Sequence, residues 1–372
     1  MRIAIFHNYL DNIGGAEKVS LLFARELGAD IYTTNIDAEK IHRMGFDTKN
    51  IFSIGHVPVN APLRQEATAY HFSRLSLGNR YDMHIIAGDW AIGAALHNRP
   101  IVWYVFSPAR ELWDLYEETR ANTVPWYGRS IYDWWVRKHR KSNLSLLSHM
   151  DGIIATSGTV QARIRKFFHQ EAPIIYPPID TSLYYNTGDH GYWLSVNRLI
   201  GHKRVDVQVD AFRQIPEEQL LIVGSYEKSL HFRKYASHIA HSLPANVRVR
   251  SWVDDAELRE LYAGCRGFIT TSRDEDFGLT VLEAMASGKP VIASDEGGYR
   301  ETVIDGTGVR IAPVNAYALQ KALCSVHANF SQTDAINNVH RFDISVSAPH
   351  IEQYCATIST QYRKGHSELP PE

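Results

Sequence analysis

Residues 271–294 read Thr271-Ser272-Arg273-Asp274-Glu275-Asp276-Phe277-Gly278-Leu279-Thr280-Val281-Leu282-Glu283-Ala284-Met285-Ala286-Ser287-Gly288-Lys289-Pro290-Val291-Ile292-Ala293-Ser294. The stretch passes from a strand end through an acidic loop and a glycine into a helix, then through a proline into a new strand. Glu275 falls in the loop and Glu283 in the helix, with seven residues between them. The amides of Phe277, Gly278, Leu279 and Thr280 come at the helix N-terminus, where unpaired N–H groups and a partial positive charge suit an anion. A phosphate there leaves one carboxylate facing a sugar and the other facing a ribose. Carboxylates only accept hydrogen bonds, which suits vicinal hydroxyls. On the two glutamates alone, a solvated acidic loop reads equally well.

The same alternation extends in both directions. On the N-terminal side, strands are expected at Ile3–Phe6, Ile31–Thr34, His84–Ala87, Ile101–Val105 and Gly152–Thr156. After Ile3–Phe6, the residues Val19, Leu22, Phe23 and Leu27 share one helical face. Past a stiff Tyr176-Pro177-Pro178-Ile179-Asp180 and a polar loop at residues 186–190, the pattern restarts at Trp193–Val196. Helix Val205–Phe212 follows, then strands Leu220–Val223 and Val247–Val249, helix Ala256–Tyr262 and strand Gly267–Thr271. Helix Leu279–Ala286, strand Val291–Ala293 and a helix capped by Asn315 complete the series. A last helix is expected with Ser347 as its cap and Ile351, Tyr354, Cys355 and Ile358 on one face. Apolar strands between helices imply parallel sheets buried on both faces. The fold class is α/β, with two Rossmann-like domains and a ligand crevice between them. The expected division is 1–185, 186–345, and a helix over 346–372 that packs back toward the N-terminal domain and ends in a frayed tail.

The chain has 372 residues, comfortable for two domains, with 44% hydrophobic and 22% charged residues. A formal net charge of −2 gives no global field for nucleic acid. Three scattered cysteines, Cys265, Cys324 and Cys355, imply neither a disulfide framework nor a zinc site. The N-terminus reads directly into a strand rather than a signal peptide, and no apolar run is long enough to span a bilayer. A cytoplasmic protein is expected, with a peripheral position at the inner face of a membrane left open.

Four stretches together carry a family resemblance. The 271–294 block resembles the E-x7-E signature of glycosyltransferase family 4, retaining enzymes of GT-B architecture. Gly14-Gly15-Ala16-Glu17 resembles that family's N-terminal glycine loop. Tyr176–Asp180 resembles its domain junction, and Arg198-Leu199 with Lys203 resembles its basic pair. The resemblance covers nearly the whole chain. It implies transfer of a hexose, with mannose the first guess, from a GDP- or UDP-linked sugar to a glycan or lipid-linked acceptor.

A nucleoside diphosphate gains negative charge as it leaves. Fixed cations stabilise that charge without a metal. Arg198, after strand Trp193–Val196, offers a planar fork, and Lys203, expected to begin the next helix, a point charge. Two solvated loop charges are the plainer reading. Arg204 is expected to be a surface residue. Glu275, Arg198 and Lys203 are the candidate catalytic residues. Gly14, Gly15, Arg110, Phe277, Gly278, Leu279, Thr280 and Glu283 are the candidate substrate contacts. Gly14-Gly15 allows close approach of a ligand to the backbone, although a tight turn before a helix needs the same residues. The dinucleotide fingerprint is missing, which argues against a nicotinamide oxidoreductase.

Residues 103–114, Trp103-Tyr104-Val105-Phe106-Ser107-Pro108-Ala109-Arg110-Glu111-Leu112-Trp113-Asp114, resemble the H-[ST]-P-x-R-x-x-W/Y-D stretch of mannosyltransferase-like members. Phe106 stands where that pattern has histidine. The substitution motivates a second reading, a nucleotide-sugar-binding protein of the same fold with impaired catalysis. Arg110 and Asp114 also suit a structural ion pair at i, i+4. A phosphorylase or synthase of the same fold is a minor rival. No cofactor is expected, and no H-x-x-x-H pair marks a metal site.

Trp126–Lys141 mixes aromatics with Arg137, Lys138, Arg140 and Lys141. That mixture fits either an interfacial helix at an anionic membrane or an ordinary helix with its rings turned inward. Nucleic acid is not an expected partner. The resemblance implies front-face substitution, in which Arg198, Lys203 and the Leu279 helix terminus hold the leaving charge. Glu275 then orients the sugar and Glu283 holds the ribose.

Overall fold

The computed structural model describes residues 1–372 apart from 12–13, 226–234, 236, 238, 242, 251–252 and 368–372. The chain forms two compact units, Met1–Pro178 with Ile344–Glu372, and Ile179–Asp343.

The first unit runs β1 (Ile3–Phe6), α1 (Gly15–Leu27), β2 (Asp30–Thr33), α2 (Ala38–Arg43), β3 (Ile51–Ser53), α3 (Leu63–Arg74), β4 (Met83–Ile86), β5 (Ile101–Val105), α4 (Tyr116–Asn122), α5 (Arg129–Leu146), β6 (Gly152–Ala155) and α6 (Gly158–Phe168). Its six parallel strands lie in the order β3-β2-β1-β4-β5-β6. β1, β4 and β5 are buried at every position. Continuous burial is what a parallel sheet with helices on both faces requires. Phe6, Ile86, Trp103 and Ile153 lie in one core with Phe168 of α6. β3, at the edge, is short and largely exposed, which discourages pairing with another chain.

The second unit runs β7 (Trp193–Arg198), α7 (Val205–Arg213), β8 (Leu220–Ser225), β9 (Val247–Arg250), α8 (Asp255–Gly264), β10 (Gly267–Ile269), α9 (Leu279–Ala286), β11 (Val291–Ser294), α10 (Tyr299–Thr302), β12 (Gly308–Ile311), α11 (Ala316–Ser325) and α12 (Gln332–His340). Its six-stranded parallel sheet is ordered β12-β11-β10-β7-β8-β9, the same winding counted from its own first strand. Trp193, Phe212, Ile222, Ile269 and Ile292 fill its core. α8 and α11 are capped by side chains, Asp254 accepting from the Glu257 amide and Asn315 from the Ala318 amide.

The last helix, α13 (Ile344–Ser367), starts three residues before the expected cap at Ser347 and carries Pro349 inside it. The reason is the apolar stripe Ile344, Ala348, Ile351, Cys355 and Ile358, all buried at helical spacing. Pro349 sits on the exposed side, so its missing N–H costs one bond without interrupting the stripe. α13 belongs to the first unit, where Ser359 donates to the Asp82 carbonyl and Arg363 pairs with the Asp82 carboxylate at 3.1 Å. Among the described residues, no helix is long and apolar enough to cross a membrane.

Candidate functional site

In each sheet the winding reverses once, between β1 and β4 in the first unit and between β7 and β10 in the second. At such a switch point the loops leave the two central strands in opposite directions and open a crevice at their carboxyl ends. The candidate residues of the second unit cluster at this place.

Arg198 ends β7 and is exposed there. Lys203 closes a single 3₁₀ turn, Gly201–Lys203, instead of beginning α7, and Arg204 follows in the left-handed conformation at φ 50°. Lys203 Nζ reaches across the switch point to Glu275, 2.5 Å from Oε2. Their side chains are 14% and 22% exposed, so the pair is shielded but open to a ligand. Ser272 Oγ donates to the same carboxylate oxygen at 2.5 Å. Burial works to raise the Glu275 carboxyl. The Lys203 ammonium, with Ser272 and His202, outweighs it and holds the group down to about 2.

The expectation that Arg204 is a surface residue is corrected. Its guanidinium donates to the carbonyls of Thr271 (2.6 Å) and Ser272 (3.1 Å) and pairs with Glu296 at 2.7 Å. The Thr271 hydroxyl lies 2.9 Å from the Lys203 and Arg204 carbonyls, and the Gln208 amide donates to it at 2.9 Å. From the end of β11, Ser294 donates to the Ser272 carbonyl at 2.5 Å, and from the loop after it the Gly298 amide donates to the Glu275 carbonyl at 2.7 Å. Arg204 therefore clamps the loops after β7, β10 and β11 together, and its planar fork suits that task better than a lysine would. The sequence signal for Glu296, Gly297 and Gly298 was only their position after a strand. A Cβ on Gly297 (φ +59°) would come 2.3 Å from the Glu275 carbonyl oxygen, so the loop beneath Glu275 needs glycine.

Gly278, φ +98°, precedes α9 as its N-cap, and a Cβ there would meet the Tyr299 ring at 2.5 Å. Phe277 is buried and packs edge-on against Phe342 at 5.3 Å, which anchors the loop. The first-turn amides of Leu279 and Thr280 belong to those a helix cannot satisfy by itself. Glu283, one turn on, is buried. Its Oε1 accepts from the Tyr184 hydroxyl at 3.0 Å and its Oε2 from Tyr262 at 2.9 Å. Neither tyrosine stood out in the sequence, because the long-range approach of Tyr184 has no local signature.

Gly14, Gly15 and Arg110 lie in the first unit. Gly14 caps α1, and its amide donates to Glu17 at 2.8 Å. Glu17 also faces the buried His7 ring at 3.4 Å, whose other nitrogen is 3.0 Å from Ser20 Oγ. Burial of Glu17 opposes its charge, but hydrogen bonding and charge from His7 prevail and lower its carboxyl below the ordinary value. Gly88, after β4, comes so close to Asn8 that a Cβ would sit 2.4 Å from its side chain, so the β1 and β4 loops touch at this switch point too. Arg110 pairs with Asp114 at 2.8 Å in the turns before α4, and Arg163 reaches the same carboxylate at 3.5 Å and Ser107 Oγ at 2.9 Å. The Phe106 ring meets Tyr104 edge-on at 5.3 Å.

Residues 186–338, which contain all of the switch-point cluster of the second unit, match the family Glycosyl transferases group 1. The second unit carries a group 1 glycosyl transferase domain. An uncharacterized glycosyltransferase from Methanocaldococcus jannaschii is 27% identical over 168 residues, 45% of this chain and 47% of that protein. The lipopolysaccharide core biosynthesis mannosyltransferase of Rhizobium leguminosarum bv. viciae is 29% identical over 205 residues, 50% of this chain and 57% of that protein. The chain thus spans about half the length of these two curated relatives. Anabaena HepE in complex with UDP-glucose superposes with a TM-score of 0.72 at 18% identity, covering 96% of this chain and 100% of that one. The fold of the chain is GT-B, two Rossmann-like units.

Proposed function

We propose that the chain is a retaining glycosyltransferase that moves a hexose, mannose-like, from a GDP- or UDP-linked sugar to a glycan or lipid-linked acceptor. The observation that carries this reading is the Lys203–Glu275 pair at the switch point of a group 1 domain, clamped by Arg204 beside the α9 terminus. The mannosyltransferase relative and the UDP-glucose complex of the structural neighbour support the class of donor.

The diphosphate meets Lys203, Arg198 and the amides of Phe277–Thr280. The anomeric carbon–oxygen bond breaks, and its electron pair goes to the departing phosphate oxygen. The acceptor hydroxyl attacks from the same face and gives its proton to that oxygen, so the configuration is retained. Lys203 and Arg198 stabilise the leaving charge where a metal is not required. Glu275 accepts hydrogen bonds from the sugar hydroxyls and Glu283 from the ribose. The expected setting is the cytoplasm.

Incubation with GDP- and UDP-sugars and candidate acceptors, read by nucleoside diphosphate release and by the product's anomeric configuration in NMR, tests this reading. Retention, undiminished by chelator, is expected. Inversion, or activity restored only by a divalent metal, contradicts it.

A further inference from the structure

The aromatic-basic stretch of the sequence is sorted by α5 into two faces. Trp135 turns inward, its ring tilted against Trp90 at 5.7 Å and its indole N–H donating to Glu66 of α3 at 2.7 Å. Arg140 turns inward as well, donating to the Leu112 carbonyl and lying over the Trp113 and Tyr116 rings. These two residues leave the surface set that the sequence suggested.

What remains outside is more apolar than the sequence alone implied. Trp126 is 80% exposed, Tyr127 73%, Ile131 71% and Trp134 58%. Lys138 lies 5.9 Å over the Trp134 ring and pairs with Glu66 at 3.0 Å, so α5 and α3 meet at Glu66. Leu63 and Tyr70, on α3 about one turn to either side of Glu66, are exposed too. Arg137 and Lys141 are exposed on the next turns of α5. Large side chains concentrated this way on an otherwise polar surface mark an interaction site.

We propose that this two-helix face docks on an anionic lipid bilayer. The chemistry selects that occupant. Trp and Tyr carry an apolar body and a polar edge, and they settle at the headgroup level. Cations follow them along the same helix, where anionic headgroups attract them. The face lies wholly within the first unit and does not depend on the glycosyltransferase reading.

The test is sedimentation of the full chain with vesicles of phosphatidylcholine alone and of phosphatidylcholine mixed with phosphatidylglycerol. Binding to the mixed vesicles only, weakened by salt, is expected. Arg137→Glu with Lys141→Glu should lower the partition coefficient at least about tenfold. Ile131→Ser with Trp134→Ser should lower it comparably. Tyr317→Ser, an exposed aromatic of the second unit, should leave it unchanged. All these sites are exposed, so an unaltered thermal midpoint checks the fold of each variant. Absence of binding at low salt, or binding indifferent to the α5 variants, overturns the proposal. So does a lipid-free dimer that Ile131→Ser with Trp134→Ser dissolves, since the face would then belong to a second copy of the chain.

Discussion

Lys203 Nζ stands 2.5 Å from Glu275 Oε2, joining the loops that leave the two central strands of the second sheet. The two residues were read from the sequence as doing separate jobs, one at the phosphate and one at the sugar. In the free protein they neutralise each other, so a bound diphosphate has to share or displace this contact. Glu275→Gln is therefore expected to bind a nucleoside diphosphate at least as well as the parent while turnover falls by roughly 10²- to 10³-fold. Lys203→Ala should lose both. Titration calorimetry beside steady-state kinetics separates the two effects, and a Glu275→Gln enzyme within a few-fold of parental turnover would refute the sugar-orienting role.

The same pair gives stability a definite dependence on acid. The Glu275 carboxyl is held at about 2, below its ordinary 4.5. A lowered carboxyl pKa contributes stability that is complete above the unfolded value and is lost as pH falls through the folded one. The contribution should thus fade between about pH 4.5 and about pH 2. Thermal unfolding followed over that window should show a smaller acid loss for Glu275→Gln than for the parent. Equal slopes would mean that Lys203 does not hold the charge.

Glu283 takes a tyrosyl hydroxyl on each oxygen. Removing the buried one by Tyr262→Phe leaves the carboxylate short of a partner and should cost about 1.5–3 kcal/mol in denaturant unfolding. Tyr184→Phe, at a half-buried site, should cost less. If Glu283 also holds the ribose, Glu283→Ala should bind a nucleoside diphosphate and its 2′,3′-dideoxy analogue equally, whereas the parent should prefer the former. Undiminished preference in the variant would remove the ribose from Glu283.

Gly297 supports the Glu275 loop through a contact that admits no side chain. Because the obstructing atoms are backbone and φ is positive, Gly297→Ala should destabilise the fold by at least about 1–2 kcal/mol. It should also move Glu275 and lower turnover. A variant neutral in both would show that the loop yields freely.

Apart from the edge strands β3 and β12, the strands and the position of α9 were legible in the sequence because each rests on local pattern: apolar runs, caps, and a glycine before a helix. The E-x7-E block was legible for the same reason. The clamp was not. Arg204 reads as a second charge beside Lys203, and its partner Glu296 lies far along the chain, brought near only by the order β11-β10-β7. Tyr184, Tyr262 and His7 escaped notice likewise, since side-chain hydrogen bonds between separate elements leave no spacing in the sequence. The start of α13 was misplaced because Ser347 was read as a cap, whereas Ile344 already belongs to the buried apolar stripe.

The central claim is that the switch point of the second unit holds a nucleoside diphosphate against Lys203 and the α9 terminus. Thermal unfolding of the parent and of Lys203→Ala with a panel of UDP-, GDP- and ADP-sugars and their free diphosphates tests it most directly, because a ligand that binds the folded state raises its midpoint. The account predicts a concentration-dependent rise for at least one uridine or guanosine compound, sharply reduced in Lys203→Ala. No rise with any nucleotide, or an identical rise in the variant, would contradict it.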